Sequence, residues 1–489
     1  MKSLRKSNVT ATIIKNMAPH KEREDMDKLT YASATALAQS IRAKEISSEE
    51  VVDAYLQRIE EANPQLNAVV QLTADAARAQ AREADAALAK GHIRGPLHGV
   101  PMTIKDNIET TGVICTGGTK GRASYVPKQD ATVVARMHDA GAIMLGKTNL
   151  PELGLTFETD NLVYGRTNNP YDLSCTPGGS SGGEAAIIAA GGSPLGLGND
   201  MGGSIRLPAH FCGIAGIKPT TGRVPRTGHF PWPGNWLDML WQPGPMARFV
   251  EDLVLVLPII VGVDWRDPSV VPMPFGDPRM VNLKSLRVAF HIDNGIMSPS
   301  REIVEVVKKT AKVLSEADMA VEEDLPSGIE QSYEIFFGLL AADGGAGMET
   351  LLHMVGTTEM HPWTNGLLEV CRATAMTTAD FTRLMLKWAM FRSSMLSFMR
   401  KYDVIICPVC AYAAPPHGGT LAADRIPAFS YTMTYNLTGW PSVVVRGGTS
   451  PEGLPIGVQV VARPWREDIA LAVAQNIETI LGGWQRPPL

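Results

Sequence analysis

Residues 176–208 constrain the fold more than any other stretch of the chain. They read Thr-Pro-Gly-Gly-Ser-Ser-Gly-Gly-Glu, then a run rich in alanine and glycine, then Gly-Leu-Gly-Asn-Asp-Met-Gly-Gly-Ser-Ile-Arg-Leu-Pro. Two Gly-Gly-Ser turns flank one small-residue helix, and each presents a serine where backbone can approach closely. Glycine suits such places because it has no Cβ to hold a ligand or a neighbouring chain away. A serine nucleophile also needs nearby backbone N–H groups, since an acyl-transfer intermediate carries its charge on an oxygen. Gly202-Gly203-Ser204 offers consecutive donors beside a hydroxyl, and Ser180 closes the earlier turn.

This segment resembles, almost continuously, the defining stretch of the amidase signature hydrolases. Carried over by position, the resemblance implies Ser204 as nucleophile, Ser180 as the bridging serine, and a cis peptide between Gly179 and Ser180. It implies Lys105 as the base, within Gly99-Val-Pro-Met-Thr-Ile-Lys105-Asp-Asn. The backbone N–H groups of Met201, Gly202, Gly203 and Ser204 are then the oxyanion hole. Weaker similarities run from about residue 29 to the C-terminus, including Gly213-Ile-Ala-Gly-Ile-Lys-Pro-Thr and Gly244-Pro-Met-Ala-Arg-Phe-Val-Glu-Asp-Leu.

Strands alternating with helices point to an α/β protein. The resemblance implies a single large domain whose central mixed β-sheet is covered by helices on both faces. Residues 29–489 are expected to form it, with 333–399 as a helical substrate-side segment and 1–28 as a mobile extension. Locally, a capping box at Ser47 and Glu50 opens a helix. An alanine-rich helix is predicted over 73–90, strands over 286–290, 404–406, 443–445 and 457–461, and an amphipathic helix through Ile303, Val307 and Leu314.

A hydroxyl is a poor nucleophile until a base takes its proton. Histidine is the usual base, and His98, His210 and His229 lie near these motifs, which keeps a Ser-His-Asp arrangement open. However, Gly202-Gly-Ser-Ile-Arg lacks the second glycine of a Gly-x-Ser-x-Gly elbow. A lysine serves as base only when neutral, and burial lowers its pKa by disfavouring the ammonium. Val100, Met102 and Ile104 alternate with Pro101, Thr103 and Lys105, a strand spacing that puts Lys105 at a strand end. On the residues alone, an ion pair between Lys105 and Asp106 is the simpler reading. With the resemblance, Lys105 draws a proton from Ser180, Ser180 draws one from Ser204, and an acyl-enzyme forms. Ser181 competes with Ser180 for the bridge and is read as holding the turn. Arg206 and Asp200 read as an ion pair steadying the loop, and Asn199 stands where many relatives have threonine, a departure that bears on local hydrogen bonding.

The acyl and amine pockets are expected from an aromatic loop bearing Phe230, Trp232, Trp236 and Trp241, and from the helices of 333–399. Those helices carry Met348, Met354, Met385, Trp388, Met390, Phe391, Met395 and Phe398. Methionine adapts to irregular apolar ligands and tryptophan offers flat surface. The expected substrate is an apolar or aryl amide or carbamate, as in the aryl-acylamidase and urethane-cleaving members of the family, which also includes fatty acid amide hydrolases. A second reading is the glutaminase component of a glutamyl-tRNA amidotransferase (its A chain), releasing ammonia from glutamine within a multi-subunit complex. A third, a catalytically dead binding protein, sits badly with intact Lys105, Ser180 and Ser204.

Two motif matches are set aside. Gly141-Ala-Ile-Met-Leu-Gly-Lys147-Thr148 fits a phosphate loop letter for letter, but its inner residues are apolar and Pro151 interrupts the helix that should follow. Cys407-Pro-Val-Cys410 has no second pair to complete a zinc site. No metal and no cofactor are expected.

At 45% hydrophobic and 19% charged, the 489 residues can bury a large core. A net charge of −5 without a long basic run argues against nucleic acid as a ligand. No window holds the roughly 18 uncharged apolar residues of a membrane span. Relatives that act on membrane lipids often carry an apolar N-terminal helix, and its absence favours a water-borne small molecule. Six cysteines in so long a chain are no disulfide framework. A cytoplasmic location is expected, with a homodimer as the candidate assembly.

Overall fold

The strand spacing at 100–105 is realised in the interior of one large sheet, in a computed structural model that describes residues 26–489. The expected extension therefore lies outside the described residues except for 26–28. Residues 26–30 are helical, and the Asp27 carboxylate pairs with Arg486 at 2.7 Å.

Among the described residues the sheet has eleven strands. They are β1 (Val69–Leu72), β2 (Pro101–Lys105), β3 (Ile143–Thr148), β4 (Leu195–Asp200), β5 (Ala215–Lys218) and β6 (Gln242–Ala247), then β7 (Arg287–Phe290), β8 (Ala320–Glu323), β9 (Val404–Pro408), β10 (Ser442–Thr449) and β11 (Pro455–Ala462). Their order is β1-β3-β2-β4-β6-β5-β10-β11-β9-β7-β8. β2 runs parallel to β3 and β4, and β7 runs parallel to β8 and β9. The remaining pairs are antiparallel, so the sheet is mixed. Every residue of β2, β3, β4, β5, β6, β9 and β11 is buried, which requires cover on both faces.

The predicted helices form close to their expected bounds. Ser48–Leu66 begins with the reciprocal Ser47–Glu50 capping box, and Ala74–Ala89 and Arg301–Glu316 follow. The signature helix Gly182–Ala189 is apolar nearly all round and every residue in it is buried, as expected for a helix enclosed in a core.

β4 and β6 carry no strand signal in the sequence, and their composition explains why. β4 has two glycines, and Gly196 has to be one: a Cβ there would lie 1.8 Å from Glu184 Oε1. β6 contains Pro243 and Pro245, which cannot donate to a ladder. Both lie beyond the end of β5, which pairs only with Met246 and Ala247.

Residues 333–399 are helical as expected, in four pieces: Ser332–Ala341, Ala346–Met354, Pro362–Ala373 and Thr378–Phe398. They build a second apolar cluster in which Phe336, Leu339, Trp388, Phe391 and Met395 meet Leu207 and Phe211 near the signature. Side-chain clasps fasten this segment to the sheet side. Thr119 Oγ1 bonds to Glu152 Oε1 at 2.9 Å and to Thr357 Oγ1 at 2.7 Å, Lys120 pairs with Glu359, and the His361 N–H donates to Glu152 Oε2 at 2.8 Å. Among the described residues no single helix is long and apolar enough to cross a membrane.

Candidate active site

Lys105 closes β2 with its side chain fully buried. Its Nζ lies 2.7 Å from Ser180 Oγ, 3.0 Å from Ser181 Oγ and 2.8 Å from Asn199 Oδ1. The pair with Asp106 does not form: that carboxylate accepts from the Thr116 N–H at 3.0 Å and hydroxyl at 2.6 Å. Burial pushes the Lys105 pKa down to about 7, against the pull of the Asp200 and Glu184 carboxylates. Glu184, on the signature helix, accepts from the hydroxyls of Thr103 and Thr148. Burial in turn raises its own pKa to about 7.

Ser180 follows a cis peptide bond from Gly179. Ser204 is 7% exposed, and with Ser180 it lines a cavity of about 250 Å³. The Ser181 N–H donates to the Ser204 carbonyl at 3.1 Å, which ties the two glycine turns together. Among the described residues no hydrogen bond joins the Ser180 and Ser204 hydroxyls. Ser181 does more than hold its turn, since its Oγ contacts Lys105 and donates to the Asn199 carbonyl at 3.3 Å.

Asp200 organises the nucleophile loop. Burial works against its ionisation, but the Arg206 guanidinium outweighs this and holds the carboxyl well below the usual carboxylate range. Arg206 meets both Asp200 oxygens at 2.9 Å and reaches the Thr432 carbonyl at 3.0 Å and Gln459 Oε1 at 2.6 Å. Asp200 Oδ1 also accepts the Gly203 N–H at 2.9 Å. Of the expected oxyanion-hole donors, Gly203 N–H is thus engaged by this carboxylate. The N–H groups of Met201, Gly202 and Ser204 have no protein acceptor among the described residues. Gly203 has φ +131°, and a Cβ on it would meet Thr432 Oγ1 at 2.4 Å. Thr432 Oγ1 in turn donates to the Gly202 carbonyl at 2.7 Å, fixing the turn.

The three histidines are structural. His98 Nε2 bonds to the Ala84 carbonyl, His210 Nε2 to that of Tyr412, and His229 Nδ1 to that of Arg226. The phosphate-loop match is the buried strand β3, where Lys147 Nζ donates to the Ile108 carbonyl. Cys407 and Cys410 are unpaired and buried, with both thiols pushed up to about 12 by burial. No group of three potential metal ligands occurs among the described residues.

Phe230, Trp232, Trp236 and Trp241 all line the cavity, with Trp232 41% exposed at its surface. Met348, Leu340 and Leu351 join them from the helical segment. The other methionines and aromatics expected there do not line it. Trp388, Phe391 and Met395 belong to the second cluster, Met385 and Phe398 pack against it, and Met354 and Met390 are 68% and 66% exposed. The charged residues in the lining are Asp238 and Asp343, without a lysine or arginine. Asn107 is an addition that sequence reasoning missed: it lines the cavity beside Asn199 and bonds to it. Its one sequence signal is its position two residues past Lys105. Leu340 and Leu351 carry none, being indistinguishable from core residues by spacing.

Residues 50–471 match a protein-family model described as Amidase. The chain is 36% identical to fatty-acid amide hydrolase 2-B of Danio rerio, covering 94% of this chain and 91% of that protein. It is 34% identical to the A chain of the glutamyl-tRNA(Gln) amidotransferase of Moorella thermoacetica, covering 92% and 97%. Among solved structures, a bacterial aryl acylamidase superposes with a TM-score of 0.80 at 27% identity, covering 92% of this chain and 96% of that one.

Proposed function

The chain belongs to the amidase signature family of hydrolases acting on amide C–N bonds, and from that premise we propose a serine amidase that uses Lys105, Ser180 and Ser204 on apolar or aryl amides. One observation carries the assignment of roles: a buried amine with depressed pKa sits 2.7 Å from Ser180 Oγ, behind a cavity that Ser204 also lines.

Neutral Lys105 accepts the Ser180 proton while Ser180 accepts that of Ser204, and Ser204 Oγ bonds to the substrate carbonyl carbon. The Ser180–Ser204 contact closes in the substrate complex, as catalytic hydrogen bonds often do. The Met201, Gly202 and Ser204 N–H groups receive the oxyanion, where one such donor is worth roughly 3–4 kcal/mol. The proton returns through Ser180 to the leaving nitrogen as the C–N bond breaks. Water then gives a proton back along the same path, attacks the ester and releases the acid.

The aromatic lining supports an apolar or aryl substrate, and a carbamate presents the same carbonyl to Ser204. Rates measured on anilides, carbamates and short aliphatic amides test this, and a preference for acetamide over an anilide overturns it. The triad is tested by fluorophosphonate labelling of Ser204, which Ser204→Ala should abolish.

Similarity to an amidotransferase A chain favours a second reading, glutamine hydrolysis within a complex. The lining offers no lysine or arginine to pair with a glutamine carboxylate, which weighs against it. Amidase activity of the purified single chain decides between the two. The buried, unpaired cysteines suit a reducing, cytoplasmic compartment, and sedimentation tests the homodimer.

A further inference from the structure

Three oxygens surround the Lys105 amine, and their other partners fix what each can do. The Phe230 carbonyl can only accept, and it takes a hydrogen bond from Asn107 Nδ2 at 2.9 Å. Asn107 Oδ1 is thereby turned to Asn199, whose Nδ2 donates to it at 3.1 Å. Asn199 Oδ1 must then face Lys105 Nζ at 2.8 Å, and an amide oxygen only accepts. Ser181 uses its proton on the Asn199 carbonyl at 3.3 Å, so toward Lys105 it too accepts. A neutral amine has two N–H groups and one lone pair, and both N–H groups are now taken. The lone pair is left for the third oxygen, Ser180 Oγ.

We propose that Asn107 and Asn199 form a directed amide chain, anchored on the Phe230 carbonyl, that aims the Lys105 lone pair at Ser180. Both are positioning residues and act on the reaction through Lys105. The inference rests on Lys105 being the base. Both amides sit in the cavity wall at no more than 8% exposure, so little water competes for their orientation. Neither carries a charge, so the chain sets direction without forming an ion pair that would hold the ammonium. The charged groups facing Lys105 are Glu184 from the signature helix and Asp200 from β4. Nearby, Asp106 turns to Thr116 and Lys147 to the Ile108 carbonyl. Because Phe230 also forms part of the cavity wall, the substrate pocket and the base share one chain of hydrogen bonds.

The test is the rate at which a fluorophosphonate labels Ser204 in the full chain, followed as a function of pH. Asn199→Asp keeps the shape but places a carboxylate against Nζ, which should hold the amine as ammonium. Its rising limb is expected at least one pH unit above that of the unaltered protein, with labelling at pH 7 at least tenfold slower. Asn107→Leu releases Asn199 to turn its NH₂ group onto the lone pair, so the alkaline plateau should fall at least tenfold without the limb moving up. A uniform slowing by Asn199→Asp with an unmoved limb would mark a merely structural role and overturn the inference. Profiles of both variants that superimpose on the unaltered one would overturn it while leaving Lys105 as base. A flat profile of the unaltered protein removes the base and the inference together. Should Asn199→Asp fail to fold, the plateau of Asn107→Leu decides alone.

Discussion

An ammonium group taken out of water without a carboxylate in contact is strongly disfavoured, so Lys105 is held in the protonation state its chemistry needs. With its pKa brought down to about 7 by burial, the neutral fraction falls about tenfold for each pH unit below that value. Acylation should therefore rise about tenfold per unit up to pH 7 and level off above it, as a pH–rate profile will show. Glu184, where ionised, favours the ammonium, so Glu184→Gln should move the rising limb acidward. An alkaline displacement in that variant would contradict the electrostatic account. Lys105→Ala should lower amide hydrolysis by about two to four orders of magnitude, the usual worth of a general base. The sheltering of Lys105 was legible in the alternation of Val100, Met102 and Ile104. The roles of Asn107 and Asn199 were not, because their bonds link positions 92 and 94 residues apart in the chain. A polar residue carries no periodic signal of such a partner.

Two elements owe their form to what they leave room for. β4 can pass beneath Glu184 only because Gly196 lacks a side chain, and a Cβ there would also lie 2.8 Å from the Thr103 carbonyl. Gly196→Ala should cost about 1–3 kcal/mol or more by overpacking, measured by urea unfolding. Gly366, inside the helix Pro362–Ala373, is the contrast, with nothing within 4 Å of its missing Cβ. There Gly366→Ala should stabilise by about 0.5–1 kcal/mol in the same experiment. The Asp200–Arg206 pair joins β4 to β11 and to the helix Ser430–Leu437 with both side chains wholly buried. Removing one partner of such a pair costs about 3–5 kcal/mol, so Arg206→Met should unfold at markedly lower denaturant. Elements with ordinary periodicity were readable from the sequence, the capped helix at 48 and strand β2 among them. β4 and β6 were hidden because their glycines and prolines answer to neighbours rather than to strand propensity.

At the scale of the whole molecule, the six cysteines are all buried and unpaired. Ellman's reagent should therefore find almost no thiol in the native protein and all six after guanidinium unfolding. Rapid reaction of several thiols under native conditions would contradict this packing. The similarity to known amidases extends over nearly the whole length, and the sheet with its signature loops matches what the motifs implied. The helical segment was readable as helix, but its division into cavity lining around 340–351 and apolar core around 388–395 was not. Both classes repeat at the same spacing.

The clasps that seat residues 357–361 on Thr119, Lys120 and Glu152 have an evolutionary corollary. They fasten a helical stretch that lends Leu340, Met348 and Leu351 to the cavity onto the frame that carries Lys105. A lineage could thus change its diet through those three positions while every bond around Lys105 stays as it was.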